Sequence, residues 1–379
     1  MIVNINQDLV LKVRTKIEFI NHASVLIKDD NISLLSDPWY EGDVFHKGWN
    51  LLYENKSEKI CELISRITHI WISHEHPDHF SVFFFKKYAD LIIKKNIVIL
   101  FQKNKDQRVK SFLKKFGFQV LELKYNEKFY LSEKFSVTCF KDGFYDSALL
   151  VENGFEKILN LNDCQITNYK KAKDIFNKTG VVDVLLTQFS YASWKGGSKN
   201  TKWRIEAARK KIETIKLQIS VFEPKFMIPF ASFIYFSNNL NFYMNDLVNS
   251  TEKIYQELKS FGPDISIMKP YDILNSTEYS IESSINFWEK RLDQIKEKKL
   301  NEYRTIYFEE LKNEFYKFRE RIISNNSLIL MRFFRKIKVF RAFESLSIYL
   351  IDLKLCIEMD YIKNIFRISN EDPLLNMHS

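Results

Sequence analysis

An apolar run, Ile67-Thr68-His69-Ile70-Trp71-Ile72, stops at Ser73-His74-Glu75-His76-Pro77-Asp78-His79, and this junction constrains the chain more than any other stretch. Alternate side chains leave a strand on the same side, so His74 and His76 project together. Asp78 and His79 emerge one turn later and face the same space. Imidazole nitrogens and a carboxylate at that spacing can hold one or two divalent ions at ~2.0 to 2.2 Å. A single histidine here would read as loop chemistry. Three histidines and one aspartate between residues 74 and 79 read as a ligand set, and five of the seven histidines of the chain lie before residue 77. Asp78 is also the candidate catalytic carboxylate, orienting an attacking group or accepting its proton.

The surrounding pattern supplies a frame for such a cluster. From residue 15 to about 165 short apolar runs alternate with polar turns: KIEFI, SVLIK, ISLLSDP, ITHIWISH, IVILF, FQVLEL, FSVTCF, SALLVE and KILNLND. Many strands at short spacing predict a β-rich core. VVDVLLTQ, KFMIPF and DISIMKP extend it to roughly residue 275. Helical periodicity appears in SVFFFKKYADLIIKK and in KWRIEAARKKIETIKLQI, where Ile205, Ala208, Ile212 and Ile215 would share a face. A catalytic domain over 1–280 is therefore expected, followed by a mainly helical extension over 281–379. Residues 283 to 323 carry alternating charges and spaced aromatics without proline or glycine, and SLSIYLIDLKLCIEMDYIKNIF alternates as a half-buried β-hairpin would.

Composition narrows the setting. No run of eighteen apolar residues occurs, and the first residues form no signal h-region, so a cytoplasmic protein without a transmembrane segment is expected. Cys61, Cys139, Cys164 and Cys356 are far apart, which argues against a zinc ribbon or a disulfide framework and fits a reducing compartment. The net charge of +9 is a mild excess of 57 basic over 48 acidic residues. Arg332, Arg335, Lys336, Lys338 and Arg341 interleave with Phe333, Phe334 and Phe340, a stretch better read as the solvated face of an amphipathic helix than as a nucleic-acid site.

The pattern HxHxDH resembles the signature of the metallo-β-lactamase superfamily, whose fold is an αββα sandwich. That resemblance implies a later strand-end aspartate between two metals, and Asp163 after KILNLN is the candidate. It also implies a third histidine for the first metal, yet no histidine lies between His79 and His378; FSVTCFKDGFYD offers Asp142 in its place, with Asp146 as substitute. A closing histidine for the second metal is missing too, since PKFMIPFASF is followed by Asn238, Asn239 and Asn241. Replacing histidine with carboxylate moves the set toward oxygen ligands, so iron, zinc and manganese all stay open.

Beyond that signature, NHASVLIKDDNISLLSDPWYEGDVFHKGWNLLYE, DGFYDSALLVENGFEKILNLNDC and EPKFMIPFASFIYF resemble the metallo-β-lactamase-fold part of the CMP-N-acetylneuraminate hydroxylases, over about residues 18 to 275. That family carries a Rieske domain before this region, for which the chain shows no CxH pair. A diiron β-hydroxylase of antibiotic synthesis also uses this fold with a carboxylate ligand. The resemblance implies an iron-dependent oxygenase acting on an amino sugar or nucleotide sugar, supplied by an external electron donor. The alternative is a hydrolase of esters, amides or phosphodiesters in which the metal acidifies a water. Candidate substrate contacts are Trp39 and Trp49, in the most distinctive matched stretch, and Ser193 and Lys195, in the loop after VVDVLLTQ. His22 is expected to stand behind the ligands and orient them.

Overall fold

The structure, a computed structural model, describes residues 15–29, 31–302, 305–337, 343–350 and 353–369. Lys338, Phe340, Arg341 and His378 lie outside the described residues. The chain divides into two compact units, Met1–Tyr303 and Arg304–Ser379.

In the first unit the apolar runs become β1 (Lys16–Asn21), β2 (Ser24–Lys28), β3 (Ser33–Ser36), β4 (Trp49–Leu51), β5 (His69–Ile72), β6 (Val98–Gln102) and β7 (Gln119–Leu123). They continue as β8 (Lys128–Tyr130), β9 (Ser136–Asp142), β10 (Asp146–Glu152), β11 (Lys157–Asn162), β12 (Val184–Gln188), β13 (Phe226–Phe230), β14 (Ile234–Phe236) and β15 (Asp264–Ile265). One sheet has the order β1-β2-β3-β5-β6-β7 and the other β15-β13-β12-β11-β10-β9-β8, while β4 pairs with β14. Parallel pairing from β3 through β7 requires crossovers, which the helices Ser57–Ser65, Val82–Lys87, Ala89–Lys94 and Arg108–Lys115 provide.

Alternation along the strands makes the layers. Ile70, Ile72, Ile99 and Phe101 pack with Ile60, Leu63, Phe84, Phe85 and Leu113 of those helices. Trp71 and Leu100 instead join Leu159, Leu185 and Met227 of the second sheet. Strands apolar on both faces read as continuous hydrophobic runs, which is why ITHIWI and IVILF carry no polar alternation. Ile212, Ile215, Ile254 and Leu258, from the helices Thr201–Phe222 and Thr251–Leu258, cover the second sheet and complete the αββα sandwich.

Three expectations need correction. The periodic stretch 81–95 breaks into two helices at Tyr88, whose φ of −109° and ψ of 16° are not helical. Ile205, expected on the buried face with Ala208, Ile212 and Ile215, is 54% exposed. The division of the chain falls after residue 303 rather than near 280, because the helix Ile281–Gln294 belongs to the first core. Its Trp288 stacks on Phe233 at 4.2 Å between ring centroids and donates from Nε1 to the Met268 carbonyl at 2.9 Å.

The second unit holds the helices Phe308–Asn325 and Leu328–Ile337 and a three-stranded antiparallel sheet, β16 (Leu346–Leu350), β17 (Leu355–Asp360) and β18 (Ile365–Ser369). Phe315 is buried against Phe366 at 5.4 Å. Arg335 pairs with Asp360 at 2.8 Å, so one member of the basic stretch serves the unit's own structure. Among the described residues no helix is long and apolar enough to cross a membrane.

Candidate metal centre

Open α/β sheets meet ligands beyond the carboxyl ends of their parallel strands. Here β3 runs into Asp37, β5 into Ser73–His79, β11 into Asp163, and β12 ends at Gln188. The β1–β2 turn adds His22, and the β9–β10 hairpin adds Asp142 and Asp146. Several of these positions are strained: His22, Asp37 and Asn162 have φ of 33°, 36° and 51°, which non-glycine residues seldom adopt.

Asp37 organises the cluster. Its carboxylate accepts from the Ser73 N–H at 2.7 Å, the Ser73 hydroxyl at 2.8 Å and Asn162 Nδ2, and lies 3.0 Å from His79 Nδ1. A carboxylate only accepts, so His79 carries a proton on Nδ1 and presents Nε2 to Asp78 Oδ2 at 3.3 Å and Asp163 Oδ2 at 3.5 Å. The same logic reaches His74. The Ser73 hydroxyl proton is committed to Asp37, so Ser73 Oγ, 2.9 Å from His74 Nδ1, accepts from it. The His74 Nε2 lone pair then faces His76 Nδ1 at 2.8 Å and Asp146 Oδ1 at 3.6 Å. One buried carboxylate thus sets two imidazole tautomers.

Among the described residues, three groups bring their ligand atoms within 4.8 Å of one another: His74, His76 and Asp146; His74, His79 and Asp163; and His22, Asp78 and His79. Each is two imidazoles and one carboxylate. His79 Nε2, Asp78 Oδ1 and both ring nitrogens of His22 are buried without a hydrogen-bond partner. Buried polar atoms are nearly always satisfied, so convergent orphans of this chemistry fit a bound cation. The charges agree. Burial alone would raise the Asp78 and Asp163 carboxyls, but the charge at His79 outweighs it and holds both below their ordinary value. Burial would lower His79, yet Asp78 and Asp163 push it well above. His74 drops to about 3, through burial and then the His79 charge. Asp146 rises to about 6, through burial and then the Asp163 carboxylate.

Not every residue expected from the sequence is brought here. Asp142 instead pairs with Lys171 at 2.9 Å and accepts from the Gln165 N–H, and Asp146, four residues on, takes the place beside His74. Across the β9–β10 hairpin the two are register partners, so the strand-end spacing does not separate them. Trp39 is 1% exposed, packs edge-on against His22 at 5.4 Å and does not border the cavity described below, which corrects its expected substrate contact. Asp37, Asn162 and Gln188 were given no role in the site from the sequence; the placement of Asp37 and Asn162 at strand ends was the signal that could have pointed to them.

A cavity of about 720 Å³ opens onto His76, Asp78, Asp146 and Asp163. Trp49, Ser193 and Lys195 line it, as do Trp194, Trp203, Lys210 and Lys211. Trp194 and Trp203 meet at 5.4 Å edge to face, and Lys195 Nζ donates to Ser193 Oγ at 2.5 Å. Lys211 donates to Gln188 Oε1, and Gln188 Nε2 donates to Asp163 Oδ1 at 2.8 Å. Burial lowers Lys211, against the pull of Asp163.

Comparison with known proteins agrees with this geometry. Residues 16–187 match the family model described as beta-lactamase superfamily domain. The cytidine monophosphate-N-acetylneuraminic acid hydroxylase of Danio rerio is 26% identical over 231 residues, 57% of this chain and 37% of that protein. Its counterpart in Sus scrofa is 27% identical over 240 residues, 59% of this chain and 53% of that protein. The chain therefore spans only 37% and 53% of the length of these relatives. The crystal structure of isothiocyanate hydrolase from Delia radicum gut bacteria superposes with a TM-score of 0.51 at 12% identity, covering 69% of this chain and 99% of that one. Residues 16–187 thus resemble a beta-lactamase superfamily domain, and the first unit has the metallo-β-lactamase fold.

Proposed function

We propose that the first unit is a two-metal enzyme of the oxygenase kind, acting on a small anionic molecule with a planar ring, of the amino-sugar or nucleotide-sugar class. The observation that carries this reading is the make-up of the centre: among the described residues, each group placed to hold an ion is two histidines and one aspartate. That donor set, which zinc hydrolases use as well, suits non-haem iron oxygenases. The partial likeness to the hydroxylases points the same way.

In this reading His74, His76 and Asp146 would hold one ion, Asp78 and His79 the other, and Asp163 would be available to both. Bound there, iron would supply redox chemistry toward dioxygen with electrons from an external donor. The protein's own part is positioning. Asp37 and Ser73 fix which nitrogen of His79 and of His74 faces the centre. Lys211 holds Gln188, which donates to one oxygen of Asp163 and leaves the other for the centre. Lys195 and Lys210 offer positive charge to a phosphate or carboxylate, and the Trp194–Trp203 pair offers faces for a ring. Asp78 borders the cavity, where it can orient a group of a bound substrate.

The test is dioxygen uptake by protein purified without oxygen, given a reduced electron donor and CMP-linked amino sugars. Substrate-dependent uptake with a hydroxylated product is expected. Zinc in place of iron, with ester, amide or phosphodiester cleavage and no uptake, would replace the reading by the hydrolase one.

A further inference from the structure

His22 is the one imidazole near the centre that did not come with the HxHxDH run, and its surroundings are unusual. It sits in the β1–β2 turn at φ 33° with a side chain that is 2% exposed. The backbone is pinned on both sides: its N–H donates to Asn21 Oδ1 at 2.9 Å and its carbonyl accepts from the Ala231 N–H at 2.9 Å. The ring is pinned as well, edge-on to Trp39 at 5.4 Å and 5.8 Å from the His79 ring. So much ordering, in a left-handed conformation, ends in a ring whose two nitrogens have no hydrogen-bond partner.

A buried histidine that serves packing alone satisfies at least one nitrogen. This one aims Nε2 at Asp78 Oδ2, 3.5 Å away, and with Asp78 and His79 it brackets a point where Asp78 Oδ1 and His79 Nε2 are also unpartnered. Substrate contact does not account for it, since His22 does not border the cavity. Nor does the later sequence offer another histidine: none follows His79 among the described residues. An ion at that point would satisfy all three orphans together.

We propose that His22 is a direct protein ligand of the second ion, together with Asp78 and His79 and with Asp163 shared between the two ions. This rests on the two-metal reading above and deepens it. The ligand missing from the end of the core is supplied from the first hairpin, by way of a strained turn. The ring is then held by metal coordination rather than by packing alone.

The experiment is a cobalt(II) titration of metal-stripped full-length protein, followed by visible ligand-field absorption and by metal per chain after gel filtration. Wild type, His22→Ala, His22→Gln and Trp39→Phe are compared, with circular dichroism to confirm folding; the glutamine variant keeps much of the volume of the ring if the alanine variant does not fold. Wild type and Trp39→Phe are expected to take two cobalt ions with the same spectrum. The His22 variants should retain the first equivalent, bind the second at least about 100-fold more weakly, and lose or shift its absorption bands, a change that loss of packing alone would not produce. A folded His22 variant that binds both ions with wild-type affinity and spectrum would overturn the assignment while leaving the two-metal reading intact. Wild type that takes up no cobalt would overturn both.

Discussion

The two corners of the proposed centre are built from the same side chains in opposite surroundings. His74, His76 and Asp146 open toward the cavity, with His76 and Asp146 only half-buried, whereas His22, Asp78 and His79 are all buried. An ion at the first corner would have room to exchange a water or a substrate atom. An ion at the second would be enclosed by protein, fixing the charge and position of the shared Asp163. Asp37 supports both corners from behind, through His79 directly and through Ser73 to His74.

Removing what the corners share should give the largest effect. Asp37→Ala strips the acceptor from Ser73, His79 and Asn162 and leaves them buried, at a cost of ~3–5 kcal/mol in urea denaturation, and it should weaken ion binding at both corners. A variant with wild-type stability and both ions would show that the corners are independently built.

Next in size are changes that act on the open corner alone. Asp146→Ala should lose one ion per chain, while Asp142→Ala should keep both and cost about 1 kcal/mol through its half-exposed Lys171 partner. Metal analysis of the two variants decides between aspartates that are register partners in the same hairpin.

The corners should also differ in their response to pH. Asp146 must be ionised to bind, and its carboxyl titrates near 6, so affinity at the open corner should rise up to about pH 6 and then level off as far as this group is concerned. At the buried corner the Asp78 carboxyl is already ionised there, but His79 is pushed well above its ordinary value and must surrender a proton. Affinity at that corner should therefore keep rising above pH 6.5. Chelator competition across this range should give two distinct profiles; one common profile would contradict the assignment of the two environments.

The smallest expected effect lies in the cavity wall. Lys195→Ala should weaken binding of an anionic substrate about tenfold without loss of metal, since a single charged contact is removed. Trp39→Phe, behind the centre, should leave substrate affinity unchanged.

The run from His74 to His79 was far more legible in the sequence than the residues that complete either corner. His74, His76, Asp78 and His79 are contiguous at the end of an apolar strand, so local alternation alone gathers them. The strands themselves were legible for a related reason: runs such as ITHIWI and IVILF are apolar on both faces because both sheet faces are covered. Asp37 and His22 were not assignable to their contacts, because those depend on how β3 and the β1–β2 hairpin come to lie beside β5. The Asp142 and Asp146 choice needed the hairpin's side-chain directions, which spacing does not carry. Helix packing likewise decided the boundary, as Trp288 joins the first core although its segment reads as an extension.

The central claim is tested most directly by counting metal. Protein purified without oxygen and analysed by plasma mass spectrometry should carry two divalent ions per chain, with iron in excess of zinc and manganese, and one in Asp146→Ala. Wild-type protein without stoichiometric metal, even after reconstitution with iron, zinc or manganese, would contradict it.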